Sequence, residues 1–244
     1  MIPISRRSLG ADAVAELARL QSSVDAANDP ADRAARAWRS FSGTKTKRDV
    51  ATGLRAMCSG IARCMYCEDS AGTDIEHFRP KSGFPATAFV WNNHLFACSH
   101  CNSNEKRDRF PADATGRALL IDPTTMDPFD HLTLSVGSGL YVGRDEIGRT
   151  SIDVFGLNRE ICAKGRLRAW STLCKLIERY PVETDAERLD TLAILRDFPF
   201  QGVRRWLAVI VESGDRAGVV PPTVKDTVGE YTELIAEFVV RKAG

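Results

Sequence analysis

Apolar residues recur at three- and four-residue intervals through Val14, Leu17, Leu20 and Val24, and alanine-rich sequence carries the pattern to Trp38 and Phe41. That spacing lines one face of a 3.6-residue helix, so residues 11–41 are predicted to be helical. The run Asn28-Asp29-Pro30-Ala31-Asp32 predicts a break and a fresh start, because proline suits the first turn of a helix. Gly43-Thr-Lys-Thr-Lys47 predicts a loop, and Val50 to Ile61 another helix. These N-terminal helices read as scaffold. Downstream, Leu167, Trp170, Leu173, Leu176, Ile177 and Tyr180 form a stripe that predicts a long amphipathic helix from Asn158 onward, with Asn158 a candidate cap. Two or three more helices are expected after it, the last from about Val224 to Val240. Leu119-Leu-Ile-Asp-Pro123 predicts a short strand. His131 to Val136 and Leu140 to Val142, separated by Gly137-Ser138-Gly139, predict a hairpin.

Between Cys64 and Pro111 the pattern changes. Gly, Pro, Asn and Ser rise, and short apolar stretches (Asp74 to Phe78, Trp91 to Cys98) lie between turn signals. So little apolar surface does not hold a unit of this size together, and a metal is the usual substitute for a core. The expected class is therefore α+β: a small metal-stapled core over 62–111, embedded in a mostly helical protein. A helical segment, 1–61, precedes it, and a mainly helical region with a short hairpin, 112–244, follows.

Composition changes this picture little. At 244 residues, 43% apolar and 27% charged, the chain can bury an ordinary core. Its apolar runs, such as Leu207 to Val211, are too short to span a bilayer. No apolar stretch follows Met1-Ile-Pro-Ile-Ser-Arg-Arg7, so no signal peptide is read and a cytoplasmic location is expected. The net charge of +1 argues neither for nor against a polyanionic partner.

Seven cysteines, an odd number, argue against a complete disulfide framework. Four of them form two C-x-x-C pairs, Cys64/Cys67 and Cys98/Cys101. The two-residue gap lets both sulfurs of each pair reach one tetrahedral ion, so the four are expected to hold a structural Zn²⁺. With four thiolate ligands that ion has no open position for chemistry. A redox C-x-x-C would require a thioredoxin-like βαβ context, which the sequence lacks. Cys58 is a conceivable spare ligand; Cys162 and Cys174 fall in helical patterns and read as small buried hydrophobes.

Between the pairs lies Asp74-Ile-Glu-His-Phe-Arg-Pro-Lys81, and across the second pair Trp91-Asn-Asn-His-Leu-Phe-Ala-Cys-Ser-His-Cys-Asn-Ser-Asn-Glu-Lys106. The string Glu76-His77-Phe78-Arg79-Pro80, Asn93 ahead of a C-x-x-C-Asn and a nearby Lys resemble the HNH, or ββα-metal, endonuclease motif. The resemblance implies a two-stranded hairpin packed on a helix around one divalent ion, with the likeness running from Cys64 to Phe110. It implies His77 as general base, a task that suits imidazole because its pKa lies near neutrality. Glu76 and Asn102 match the ligands of a catalytic Mg²⁺ or Mn²⁺, for which carboxylate and amide oxygens are the appropriate hard donors. Asp74 and Asn104 compete with them for that role. Asn93 matches the middle motif position, which ties the loop and orients the histidine backbone.

His94 stands where an apolar residue is usual. It reads either as a strand residue against the core or as a phosphate contact or extra ligand. His100 is expected to be exposed or to support a ligand, and His131 to be structural. Arg79, Lys81, Lys106, Arg107 and Arg109 are read together as contacts to a nucleic-acid backbone. No base-reading helix is evident, so little sequence specificity is expected. More loosely, Asn102 to Pro111, Ile121-Asp-Pro123 and Thr150 to Arg159, followed by a long helix, resemble the HNH nuclease subunits of Septu-type and some retron-associated antiphage systems. That resemblance covers 45–180 and implies a partner ATPase and a role in defence. DNA is the expected substrate, with RNA or transfer-RNA cleavage open. The competing reading is a non-catalytic zinc-knuckle module that binds nucleic acid or protein.

Overall fold

The first two helices, α1 (Ala11–Asp25) and α2 (Pro30–Phe41), meet at the predicted break. Asp29 caps α2 by accepting from Asp32 N at 3.0 Å, and Pro30 occupies the first turn. Leu17 and Val24 of α1 and Ala34, Ala37 and Phe41 of α2 are buried. Helix α3 spans Lys45–Arg55, offset from the predicted Val50 to Ile61. It starts early because the Thr44 hydroxyl accepts from Lys47 N at 3.1 Å, turning most of the expected loop into a capped first turn. It also stops early: Val50 and Leu54 are buried, whereas Ile61 is exposed and gives the helix nothing to pack. The computed structural model describes residues 1–215 and 218–236.

The central segment contains strands β1 (Asp74–His77) and β2 (His94–Ala97), antiparallel, pairing Asp74 with Ala97, Ile75 with Phe96, Glu76 with Leu95 and His77 with His94. Both lie inside the stretches predicted as extended. Beyond β2 the chain forms a π-helical segment, His100–Lys106. It ends at Arg107, whose φ of 50° lies in the left-handed region that non-glycine residues rarely adopt.

The second half differs from expectation at four places. Leu119–Pro123 joins no sheet; Ile121 N donates instead to Ser151 Oγ at 2.8 Å, and the segment lies buried under the helix carrying that serine. A short helix α4 (Pro128–His131) precedes strand β3 (Leu132–Leu134), which pairs antiparallel with β4 (Tyr141–Gly143) as the expected hairpin. Helix α5 (Glu146–Val154) follows, then the long α6 (Glu160–Arg179). Asn158 does not cap α6. Its side chain accepts from Tyr141 N and donates to Tyr141 O, both at 2.8 Å, and so bolts the hairpin to the helix start. Helices α7 (Asp185–Asp197), α8 (Gln201–Glu212) and α9 (Pro222–Glu230) complete the described part. The last expected helix therefore ends at Glu230, and positions 237–240 of that expectation lie outside the described residues. No helix among them is long and apolar enough to cross a membrane.

Two straps hold the centre in place. The buried Met1 amine sits 2.5 Å from Glu68 Oε2 and 2.9 Å from the Tyr141 hydroxyl, and the same carboxylate oxygen accepts from Gly202 N at 2.9 Å. Arg6 donates to the carbonyls of His94 at 2.7 Å and Asn92 at 2.9 Å, gripping the entry to β2.

Candidate metal centre and active site

Cys64, Cys67, Cys98 and Cys101 are all buried, and their sulfurs lie within 4.8 Å of one another. Cys67 Sγ and Cys98 Sγ are 3.9 Å apart. A tetrahedral Zn²⁺ with Zn–S bonds of ~2.3 Å separates its sulfurs by roughly 3.8 Å, so the cluster fits such an ion. Hairpin and knuckle are joined by the backbone, with Met65 N donating to Phe96 O at 2.9 Å. Helix α6 closes the cluster from outside. Arg159 Nη1 donates to Cys101 Sγ at 3.5 Å, and Cys162 lies beside Cys67. Cys162 is buried as expected, but its place at the cluster was not legible from its helical spacing. Cys58 is not part of the cluster; its thiol donates to Leu54 O, and burial pushes its pKa up to about 12.

One face of β1 meets one face of the π-helical segment in a two-rung ladder. Residues two apart on a strand share a face, and residues four apart on a helix do too. Asp74 thus faces Asn102, and Glu76 faces Lys106. In the first rung Asn102 Nδ2 donates to Asp74 Oδ2 at 3.0 Å, which leaves the amide Oδ1 free of the carboxylate. In the second, Lys106 Nζ lies 2.8 Å from Glu76 Oε1, and both side chains are almost wholly inaccessible. The Tyr66 hydroxyl also donates to Oε1, at 3.3 Å, leaving Oε2 without a side-chain partner. Burial raises the pKa of Glu76, while the Lys106 charge and hydrogen bonds from Lys106 and Tyr66 oppose that shift.

His77 projects to the other face of β1, where Nε2 lies 2.9 Å from the Ala88 carbonyl. A carbonyl only accepts, so Nε2 carries the proton and Nδ1 the lone pair. Burial, reinforced by His94 and Lys81, holds the pKa of His77 well below its ordinary value. The ring is neutral at physiological pH. Its cross-strand partner His94 makes the same bond, Nε2 to Ala88 O at 3.0 Å, but is wholly buried, and its Nδ1 has no partner. Burial pushes the pKa of His94 down to about 4. His94 is thus a strand residue buried in the core. Trp38 of α2 packs edge-on against His77, ring centroids 4.2 Å apart.

A cleft of about 330 Å³ opens over this constellation, lined by Trp38, Glu76, His77, Lys81, Asn102 and Arg107 among others. Asn93 lies beneath the same loop: Oδ1 accepts from Arg79 N at 2.8 Å, and Nδ2 donates to Arg79 O and Thr87 O, both at 3.0 Å. It fastens the chain just after His77. Of the five cations expected on the surface, Lys81 and Arg107 line this cleft. Lys106 does not reach solvent, because the ladder directs it to Glu76 and to His77 O at 2.9 Å. Arg79 stacks on Phe84 and Phe110 and lines a different cleft, and Arg109 pairs with Asp153. Asn104 points to exposed His100, which pairs with Glu105 at 3.0 Å, so Asn102 is the asparagine at the cleft. His131 pairs with Asp145, the α5 cap, at 2.7 Å.

Comparison with known proteins finds no matching family model. The chain is 29% identical to the Septu protein PtuB of Bacillus thuringiensis over 102 residues, which make up 40% of this chain and 37% of that protein. The alignment therefore spans little more than a third of the relative's length.

Proposed function

We propose that this chain is an HNH-type endonuclease that hydrolyses phosphodiester bonds of DNA, and that it serves as the nuclease of an antiphage system with a partner subunit. The observation that carries the reading is the 2.9 Å contact between His77 Nε2 and the Ala88 carbonyl. The Ala88 carbonyl fixes the proton on Nε2, so Nδ1 is held as a base beside a cleft that Glu76 and Asn102 also line. A non-catalytic knuckle has no use for a neutral, oriented histidine next to two oxygen donors.

In this reading His77 Nδ1 takes the proton of the attacking water. Asn102 and Glu76 would hold a Mg²⁺ or Mn²⁺ ion through hard oxygen donors, and such an ion would supply polarisation of the phosphate and stabilisation of the leaving 3′ oxygen. Asp74 orients the Asn102 amide, and Lys106 opposes the burial that raises the Glu76 pKa. Lys81 and Arg107 offset phosphate charge at the cleft. The cysteine cluster, with zinc bound, holds the hairpin in register and takes no part in the chemistry. The likeness to the Septu protein supports the defence role and the partner subunit.

A nicking assay on supercoiled DNA, with an RNA substrate in parallel and Mg²⁺ or Mn²⁺ supplied, tests the reading. The wild type is expected to cut, and His77→Ala to lose about 10²–10⁴-fold in rate. Equal rates would remove His77 from the chemistry. Binding without metal-dependent cutting would favour the knuckle module, and cutting of RNA alone would correct the substrate.

A further inference from the structure

The cleft over His77 does not end at Asn102. A second cleft, of about 410 Å³, shares Trp38, Ile75 and Asn102 with it and continues between the β1 face and the α2–α3 connection, lined by Gly43, Lys47, Arg48 and Asp74. The two form one groove bent around Asn102. Lys81 and Arg107 stand in one arm, and Lys47 and Arg48 in the other.

The charges of the second arm sit at an electrostatic cost. Lys45, Lys47 and Arg48 occupy the start of α3, which has no acid in its first turn. The N-terminal end of a helix favours acids and disfavours cations. Lys45 is compensated by Asp49 at 2.8 Å. Among the described residues no carboxylate pairs with Lys47 or Arg48. Arg48 donates to Gly43 O at 2.7 Å, and Lys47 Nζ lies over the Trp38 ring, 5.8 Å from its centroid. Local charge choices that oppose the helix they sit on mark positions serving something other than the fold.

We propose that the α2–α3 arm is the second half of the DNA track. One strand lies across Asn102, with the scissile phosphate over His77, and the phosphates on one side of it contact Lys47 and Arg48. The contact is to the backbone of DNA and so is blind to sequence. This rests on the nuclease reading above and assigns a substrate-binding role to helices that the hydrophobic pattern marks only as scaffold.

The test is DNA binding, read by fluorescence anisotropy on the zinc-loaded full chain carrying His77→Ala so that no cutting intervenes. Lys47→Glu/Arg48→Glu is compared with Lys81→Glu/Arg107→Glu and with Lys225→Glu at an exposed position of α9. The α3 pair is expected to weaken binding at least tenfold and to lower the slope of log K against log salt by about 2, one for each phosphate no longer neutralised. Lys225→Glu is expected to leave both unchanged. Thermal melting of each variant separates weakened binding from impaired folding, since Arg48 is exposed and Lys47 half-buried. Should the α3 pair retain wild-type affinity and slope while the Lys81/Arg107 pair loses both, the second arm is not part of the track and the nuclease reading stands. Should the wild-type sequence cut DNA while none of the variants shifts affinity, the track is overturned and the chemistry survives. Should neither cutting nor salt-dependent binding occur, the nuclease reading falls, and this inference falls with it.

Discussion

His94 offers the sharpest quantitative test of how this site is held. Replacing it with leucine exchanges a wholly buried imidazole for an apolar side chain of similar size. At neutral pH the change removes one hydrogen bond to Ala88 O, an acceptor that His77 still occupies, together with an Nδ1 that has no partner. Those effects oppose each other, so His94→Leu at pH 7.5 is expected to stay within about 1 kcal/mol of the wild type. Acid changes the balance. The folded-state pKa of about 4, set by burial with Arg6 adding repulsion, lies below the ordinary 6.5 of an unfolded histidine. Between those values the unfolded chain binds a proton that the folded chain refuses. His94 therefore withdraws stability as pH falls from about 6.5 toward 4, and the full contribution is present only above 6.5.

Integrating over that window gives a loss of about 2.5 kcal/mol at pH 4.5 relative to pH 7.5. His94→Leu lacks this term, so it is expected to become the more stable protein in mild acid by about that amount. Urea unfolding of both proteins at pH 7.5, 5.5 and 4.5 reads the difference directly. Arg6 and the cysteine cluster are common to both proteins, so their own pH dependence largely cancels, while His77, whose pKa His94 helps to hold down, is released in the same direction by the substitution. A stability difference that stays constant to within about 0.5 kcal/mol across that range would refute the burial argument.

Three further outcomes follow from the geometry. Chelating the metal, or Cys98→Ser, is expected to abolish the cooperative melting of the central segment and to release about one equivalent of zinc by mass spectrometry; full cooperativity after chelation would count against a structural ion. Asn93→Ala strips partners from the backbone of Arg79 and Thr87, and is expected to cost about 2–4 kcal/mol in urea unfolding; a loss below about 0.5 kcal/mol would show the loop is fastened elsewhere. Lys106→Met leaves the Glu76 carboxylate buried and uncompensated, for an expected loss of about 3–5 kcal/mol, much of it recovered by adding Glu76→Gln. Additive effects in that double-mutant cycle would deny the ladder's second rung.

Much of the site's frame was written in short-range spacing. Two C-x-x-C pairs flanking a hairpin needed only local geometry, and the structure brings their sulfurs together. Asp29-Pro30 and the 132–143 hairpin were readable for the same reason: capping and turn chemistry act over three or four residues. Where a neighbour distant in sequence decides, local reading failed. Leu119–Pro123 has strand-like composition, but its backbone bonds go to Pro111, to Ile4 and, from Ile121 N, to the hydroxyl of Ser151. Asn158 has the chemistry of a cap, but the amide fits the Tyr141 backbone on both sides. Thr44 went unread as a cap because glycine and lysines around it suggested a loop.

Lys106 shows the limit most clearly. On a surface of arginines and lysines it reads as one more phosphate contact, and nothing in its immediate neighbours says otherwise. Its burial follows from two periodicities meeting: period two on β1 aligns Asp74 with Glu76, and the turn of the π-helical segment aligns Asn102 with Lys106. Once Asn102 is set against Asp74, Lys106 has nowhere to go but Glu76, and a lysine buried there requires that carboxylate as much as the carboxylate requires the lysine. The signal was present as an acid–x–acid strand beside an Asn-x-x-x-Lys helix. It becomes readable only when the cysteine cluster is known to fix strand and helix face to face, so the four cysteines determine which charges are left at the cleft.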